Sequence, residues 1–401
     1  MPMPASYWER EVRLRPSRPV PRRTDVVVIG GGFAGLATAI RIRERGVGVT
    51  VLEAERIGFG ASGRNAGFLS PLAAPIWLVG REHAWAAAQI NREVHELARW
   101  IGGLSACELA PATLAMRGTS RLWDGSVRAL ADAVARVGLA HSMTESIVER
   151  GRAVLAMDAY TMHPFALVRA LADRAEQLGV DIHEGARATA IEGTRVRISG
   201  ESAIEAGTIV VCTNGYTGPL DVGERLRALT VHSLLAASAP LALDAGANAS
   251  RDGDMTIEVS GLYQPYHRTH DRRVIFGGVD VLRAPRDTDR ARRQLSEAMA
   301  ISVPGATIAQ VWGGAFHATT TGLPILRRST RNPAVVLNVG YGGTGVALSL
   351  VCAKLAAALA TGSLAGDDER LYAALRDTRV SMRDSLKTFM GIASRFARPW
   401  R

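Results

Sequence analysis

Lysine is almost missing from this chain. Of its 48 basic residues only Lys354 and Lys387 are lysines, leaving 46 arginines (48 − 2). The formal net charge is +10, yet no basic block is interleaved with aromatics and no nucleic-acid motif occurs. The excess therefore reads as arginine usage rather than a nucleic-acid footprint, and leaves open only non-specific attraction to polyanions. Cysteine is scarce too. Cys107, Cys212 and Cys352 share no C-x-x-C spacing, which argues against a metal site and a disulfide framework and fits a reducing, cytoplasmic setting. The apolar run after Arg22-Arg23 is too glycine-rich and too short for a span of about 20 residues. No small-residue cleavage site follows it, so neither an export signal nor a membrane span is expected. No repeat of solenoid period is present.

What is there begins at Asp25. The stretch DVVVIGGGFAGLATAIRIRERGVGVTVLEAE has an apolar β-branched run, Val26–Ile29, that suits a buried parallel strand. G-x-G-x-x-G follows, with Gly30, Gly32 and Gly35 around Phe33 and Ala34. A helix is expected over 36–45 and a second strand over 47–52, ending at Glu53. Gly30 permits the tight turn, Gly32 lets a pyrophosphate approach, and Gly35 lets helix and strand pack closely. The helix start offers N–H groups and a positive dipole end to phosphates, and Glu53 can accept from ribose hydroxyls. The motif in this context predicts dinucleotide binding.

Next comes a glycine-dense loop, residues 55–69, with Ala54, Arg56, Ala61, Ser62, Gly63, Arg64, Asn65, Ala66, Gly67 and Phe68 in or beside it. Such backbone suits close contact with a flat polar ligand, and Arg64 could face a pyrophosphate bidentately. Residues 1–23, rich in Pro and Arg, read as a solvated arm, with anchoring through Tyr7-Trp8 as the alternative. Helices are expected over 81–101, 125–137 and 165–178, the last entered through His163-Pro164 and ended by Gly179. Short strands are expected at 180–183, 188–191, 203–204 and 207–212, the last delivering Thr213 and Asn214 to a cleft. Residues 220–310 read as an antiparallel sheet with one helix at 287–299, a lid with one face over a pocket. Alternation puts Tyr266 and Arg268 on one face and Tyr263 and His267 on the other. A second glycine turn, Gly340-Tyr-Gly342-Gly343-Thr344-Gly345-Val346, opens a long apolar helix 310 residues after the first (340 − 30). Two such turns fit the two ends of one long cofactor, the second aiming amides at a redox ring.

With these pieces in view the chain resembles the FAD-dependent D-amino acid oxidase superfamily, of the glycine and sarcosine oxidase type. Within it, the bacterial γ-glutamylputrescine oxidase-like amine oxidases are the most similar. The resemblance runs over Ser6-Tyr7-Trp8, Gly30–Gly35 with Glu53, Gly60–Asn65, His163-Pro164, Cys212–Tyr216, Trp312-Gly-Gly314, Gly322–Pro324 and Gly340–Val346. It implies an α/β fold: a Rossmann-type, glutathione-reductase-like FAD domain interleaved with a mixed or antiparallel-sheet substrate domain. The FAD domain would span 24–80, 150–218 and 318–375. The substrate domain would span 81–149 and 219–317, with an arm at 1–23 and a helical tail at 376–401. It adds Ala188 and Trp312 to the expected FAD contacts. It implies hydride transfer from carbon to flavin N5, then imine hydrolysis, with no side chain required as a strong base. Substrate-pocket candidates are Tyr263, Tyr266, Arg268, His317 and Phe68.

Departures from the family pattern shape the expectation. The carboxylate-clamping Arg that such amino acid oxidases carry after the Trp-x-Gly step is replaced by Ala315-Phe316-His317, which favours an amine substrate, although Arg268 could substitute. No cysteine stands where covalent flavin attachment occurs, so FAD is expected to be non-covalent. Neither lysine fits the oxygen-activating position, so the acceptor is O2 or another electron acceptor. Thr344 stands where His is common. The reading is an amine or amino acid oxidase acting on a small molecule. A dehydrogenase with a non-oxygen acceptor and a non-catalytic FAD-binding basic protein are the alternatives. The first motif alone would also admit a nicotinamide enzyme.

Overall fold

The computed structural model describes residues 4–9, 15–16, 18–71, 84–104, 107–117, 127–145, 153–200, 202–218, 220–241, 255–258, 264–283 and 288–377. The chain opens with β1 (Arg23–Ile29), α1 (Phe33–Arg43) and β2 (Val49–Leu52). β3 (Phe68–Leu69), α2 (Ala84–Gly102), β4 (Ala110–Arg117), α3 (Val127–Arg136), β5 (Ser142–Glu145) and β6 (Ala153–Thr161) follow. Then come α4 (Pro164–Gln177), β7 (Asp181–His183), β8 (Ala188–Glu192), β9 (Arg195–Ile198) and β10 (Ala203–Val211). The next stretch holds β11 (Ala228–Ser238), β12 (Met255–Glu258), β13 (Gln264–Arg268), β14 (Val274–Val281), α5 (Thr288–Ser302) and β15 (Ile308–Thr319). β16 (Ile325–Arg328), β17 (Val335–Val339), α6 (Gly345–Thr361) and α7 (Gly366–Asp377) close it.

Two sheets result. The first runs β16-β17-β10-β1-β2-β7, with β8 and β9 as a hairpin beside β10. Its central strands are parallel, as the continuous apolar runs require of strands covered on both faces. Alternation divides β1: Val26 and Val28 pack with α1, α4 and α6, while Val27 and Ile29 pack with β9 and β17. The second sheet runs β15-β11-β14-β13-β12-β4-β6-β3, with β5 on β6. Its neighbours are antiparallel except β12 with β4: the strands of 220–310 are antiparallel to one another, as read, and the whole sheet is mixed. One face of it packs on α5 through Leu234, Tyr266, Phe276 and Leu295.

The elements around the first glycine turn match the sequence expectation within a few residues. No expectation covers β4 and β6: sequences such as APATLAMR carry little β-propensity, and cross-strand pairing over 110–117 and 154–161 decides their state. β3 and β6 lie inside segments expected to belong to the cofactor domain, yet both pair in the second sheet. The arm is not simply solvated, since Ser6 is 2% and Trp8 4% exposed. The tail beyond α7 and the first residues of the 81–101 helix lie outside the described residues. Among the described residues one helical stretch, Gly342–Thr361 (α6 with the turn before it), is long and apolar enough to cross a membrane, but 67% of its most apolar window is buried inside the fold.

α1 carries the packing load between β1 and α6, and Ile40 on it has no exposed surface. Ile40→Ala should cost about 2–5 kcal/mol by lost burial and the cavity left behind, read as a lower urea midpoint at unchanged slope.

Candidate functional site

The site starts where β1 stops. Gly30 has φ +111°, and a Cβ on it would meet the Cys212 carbonyl oxygen at 3.0 Å. At Gly35 a Cβ would lie 1.9 Å from the Gly30 carbonyl oxygen, so no side chain fits between helix and strand. A Cβ on Gly32 would lie 2.7 Å from Ser62 Oγ, the hydroxyl that accepts the Phe33 N–H at 2.9 Å. Gly32 itself supplies no side-chain cap to α1. Glu53, at the end of β2, accepts from Gly31 N–H at 2.7 Å and from Glu55 N–H at 2.9 Å. Burial raises its carboxyl above the usual range, and those two N–H donors oppose the rise.

The glycine-dense loop is held from outside by the arm. Ser6 Oγ donates to the Gly63 carbonyl at 2.8 Å and Trp8 Nε1 to the Asn65 carbonyl at 2.8 Å. Glu9 pairs with both Arg56 and Arg64. Arg64 donates to the carbonyls of Phe59 at 2.8 Å, Pro4 at 2.8 Å and Gly313 at 3.3 Å. Its guanidinium, expected to face a phosphate, is occupied by these carbonyls and the Glu9 carboxylate, which supply the acceptors a phosphate would offer. Trp312 Nε1 donates to the Arg64 carbonyl at 2.9 Å. His267 Nε2 donates to the Ala66 carbonyl at 2.9 Å, with Trp8 and Phe68 rings on either side. Burial drives the His267 imidazole down to about 4, so the ring is neutral.

The second glycine turn is tied to the first sheet and the second at once. Asn214, at φ +43°, follows β10. Its Oδ1 accepts the Gly340 N–H at 3.0 Å and the His317 N–H at 3.3 Å. Gly340 has φ +89°, with a would-be Cβ 2.8 Å from Thr319 Cγ2. α6 then starts from Thr344 without a side-chain cap from that residue.

Both turns open onto one cavity. Its walls include Gly30, Gly32, Phe33, Ala34, Glu53, Ala54, Ala61, Ser62, Arg64, Asn65, Ala66, Phe68, Ala188, Thr213 and Asn214, and at the other end Gly342, Gly343, Thr344, Gly345 and Val346. Gly35, Arg56, Gly63, Gly67, Trp312 and Gly340, also expected at the cofactor, stand behind this wall and shape it. The floor is the inner face of the second sheet: Ser233, Leu235, Met255, Ile257, Pro265, Gly277, Asp280, Gly314 and Phe316. Of the substrate-pocket candidates only Phe68 lines the cavity. Tyr266 is turned to the α5 side, stacked on Phe276. Arg268 and His317 are not on the wall, and Tyr263 lies outside the described residues. The expected alternation holds, but the cavity is on the His267 side of β13, where Pro265 faces it.

Sequence reasoning missed Asp280. Between β11 and β14 the pairing steps from Leu234↔Val279 to Leu235↔Gly277, leaving Gly278 as an extra residue. That bulge reverses side-chain parity and lets Gly277 and Asp280, three apart, share the cavity face. A Gly-Gly pair inside a strand pattern was the available signal. Among the described residues no group of three His, Cys, Asp or Glu is placed to hold a metal.

A dinucleotide fits this cradle. Two helix starts lack caps from their leading residues, a Cβ at Gly35 would strike the Gly30 carbonyl and one at Gly32 would crowd Ser62 Oγ, and Glu53 stands at the β2 end. Comparison with known proteins agrees. The family model for FAD-dependent oxidoreductases (DAO) matches residues 25–359. A probable oxidoreductase OrdL of Rhizobium meliloti is 29% identical, the match covering 89% of this chain and 88% of that one. The γ-glutamylputrescine oxidoreductase of Escherichia coli is 26% identical, covering 87% and 85%. Among solved structures, glycine oxidase from Geobacillus kaustophilus superposes with a TM-score of 0.72 at 19% identity, covering 86% and 96%.

Two outcomes follow from these contacts. Asn214→Ala leaves two buried N–H groups without their acceptor and puts a Cβ-bearing residue without a polar side chain at positive φ. It should cost several kcal/mol, at about 1–3 kcal/mol per orphaned group, and reduce the cofactor retained per protein, read from the visible-to-ultraviolet absorbance ratio. The second concerns pH. Folded His267 titrates near 4 against about 6.5 unfolded, so the unfolded state binds more protons between those values. Stability is full above 6.5 and falls as pH drops towards 4. In His267→Gln, which keeps a donor for Ala66, urea titrations should show a shallower acid loss, by close to one proton.

Proposed function

Because the chain belongs to the DAO family of FAD-dependent oxidoreductases, we propose that it oxidises a carbon–nitrogen bond of an amine or amino acid held against the floor of the second sheet. FAD, when bound, supplies the hydride acceptor. The observation that carries the reading is the single cavity shared by both glycine turns and the sheet floor. The start of α1 would hold the pyrophosphate and Glu53 the ribose hydroxyls. The start of α6 would set N–H groups and a positive dipole end beside the redox ring, where negative charge develops. Leu235, Met255, Ile257, Pro265 and Phe316 desolvate the substrate and so favour the neutral amine from which hydride can leave. Water hydrolyses the resulting imine, and no base on the wall is required.

Three further features refine the reading. Ala315 and Phe316 line the wall without a guanidinium fork, which favours an amine over an α-amino carboxylate. Cys212 also lines it, but burial pushes its thiol up to about 12. It stays protonated and unreactive, which favours non-covalent FAD. All three cysteines are free, in keeping with a reducing cytoplasmic location. O2, reduced to H2O2, is the proposed acceptor. A second reading, transfer to another acceptor, is favoured by the absence of lysine from the described wall. Lys354 is held instead by Glu93 at 3.2 Å and Asp368 at 2.8 Å.

The test is an anaerobic visible spectrum with a panel of amines and amino acids, followed by air. Bleaching by an amine with fast recovery and peroxide is the expected result. Slow recovery in air would move the assignment to the second reading. Protein that takes up no FAD, or flavin that no panel member bleaches, would overturn the proposal.

A further inference from the structure

We infer that Gly277 opens a notch in the floor that receives the hydrocarbon end of the substrate, so that the preferred substrates are amines whose non-reacting end is an unbranched alkyl chain. This rests on the oxidase reading above for which bond reacts, but not for where an alkyl chain binds. One row of residues runs straight across the second sheet: Ile257 on β12, Pro265 on β13, Gly277 on β14, Leu235 on β11 and Trp312 on β15. The first four line the cavity. Trp312 closes the row at the glycine-dense loop, where its Nε1 donates to the Arg64 carbonyl at 2.9 Å. The row carries no charge. Asp280, in the next row with Ser233 and Gly314, already interacts with another group of the protein.

Gly277 differs from the glycines of the cradle. Gly30 has positive φ, and at Gly35 a Cβ would collide with backbone. Neither constraint holds at Gly277. Its φ lies outside the left-handed region, and a Cβ there would stand 3.5 Å from Pro265 Cγ and 3.7 Å from Leu235 Cδ2 and Cγ, ordinary contact distances to side chains. A strand glycine forfeits packing, and it often marks the close approach of a ligand. Here the fold has room for alanine, and what the glycine leaves is space. That space opens into the cavity, with Pro265 on one side and Leu235 on the other, and its base is one carbon wide. A terminal methyl entering it touches carbon on both sides and gains burial. A hydroxyl or a charge would lose its water and find no side-chain partner in the row. A branched end is too wide for the base. With strands about 4.8 Å apart, the notch lies about 10 Å from β15, so a chain of several carbons reaches from it towards the cofactor end.

The probes are the straight alkan-1-ols from propan-1-ol to octan-1-ol, compared with hexane-1,6-diol and the branched 4-methylpentan-1-ol. Binding to the holoprotein is followed by perturbation of the flavin spectrum and by the rise in thermal midpoint. Affinity should rise about fourfold per methylene, as expected for each CH2 buried, until the notch is filled. The diol should bind at least about tenfold weaker than hexan-1-ol, because one hydroxyl is buried without a partner, and the branched isomer should also bind more weakly. Gly277→Ala fills the base of the notch and should lower the ratio of hexan-1-ol to propan-1-ol affinity by at least about fourfold. Gly277→Leu should abolish the gain with length. No gain with length in the wild type, a diol or branched isomer as tight as hexan-1-ol, or an unchanged length dependence in Gly277→Ala would each overturn the inference. The wild-type comparisons stand even if a variant does not fold. The alcohols carry no carbon–nitrogen bond and read the notch whether or not any amine bleaches the flavin, so failure of the oxidase reading is seen separately.

Discussion

One carboxamide oxygen couples the two sheets. Asn214 leaves β10 in the first sheet, and its Oδ1 receives an N–H from Gly340 in the same sheet and another from His317 in the second. The residue must tolerate positive φ and carry an acceptor, and asparagine is among the few side chains that do both. Through this contact the end of β15 is set against the second glycine turn, so the floor and the start of α6 face the same space. Tyr216, one turn on, accepts the Ala315 N–H at 3.2 Å and reinforces the same junction.

Around that junction the protein uses backbone more than side chains. The cradle is built from helix starts and glycine positions where a Cβ would collide with carbonyls or a hydroxyl. Charged side chains nearby are committed to one another, as Glu9 with Arg56 and Arg64 shows. Their role is to hold the loop from behind. A site so arranged presents backbone dipoles to its ligand, which cost no side-chain entropy to orient.

What could be read from the sequence depended on distance along the chain. The first glycine turn was legible because strand, turn, helix and terminal acid lie within 31 residues and each constrains the next. The second turn was legible for the same local reason. β4, β6 and β15 were not, because alanine, proline and paired glycines in them become strand only through partners far away. Arg64 was assigned to a phosphate because nothing local shows that Glu9 and two distant carbonyls, Pro4 and Gly313, would claim it. Asp280 went unseen because a one-residue bulge reversed the parity on which face assignments rest. Such parity switches are set by the register of the partner strand.

The order of strands in the first sheet carries a consequence for synthesis. β1 is complete by residue 29, but its neighbour β10 ends at 211 and the next strand, β17, at 339. The nascent chain therefore carries the first glycine turn with one flank of its strand unpaired until residue 211 has been added. The partner helix α6 is complete only at residue 361. Closing contacts this far apart delays folding until late in translation. Cofactor capture thus waits for the second glycine turn, and a ribosome that stops before it releases half a cradle.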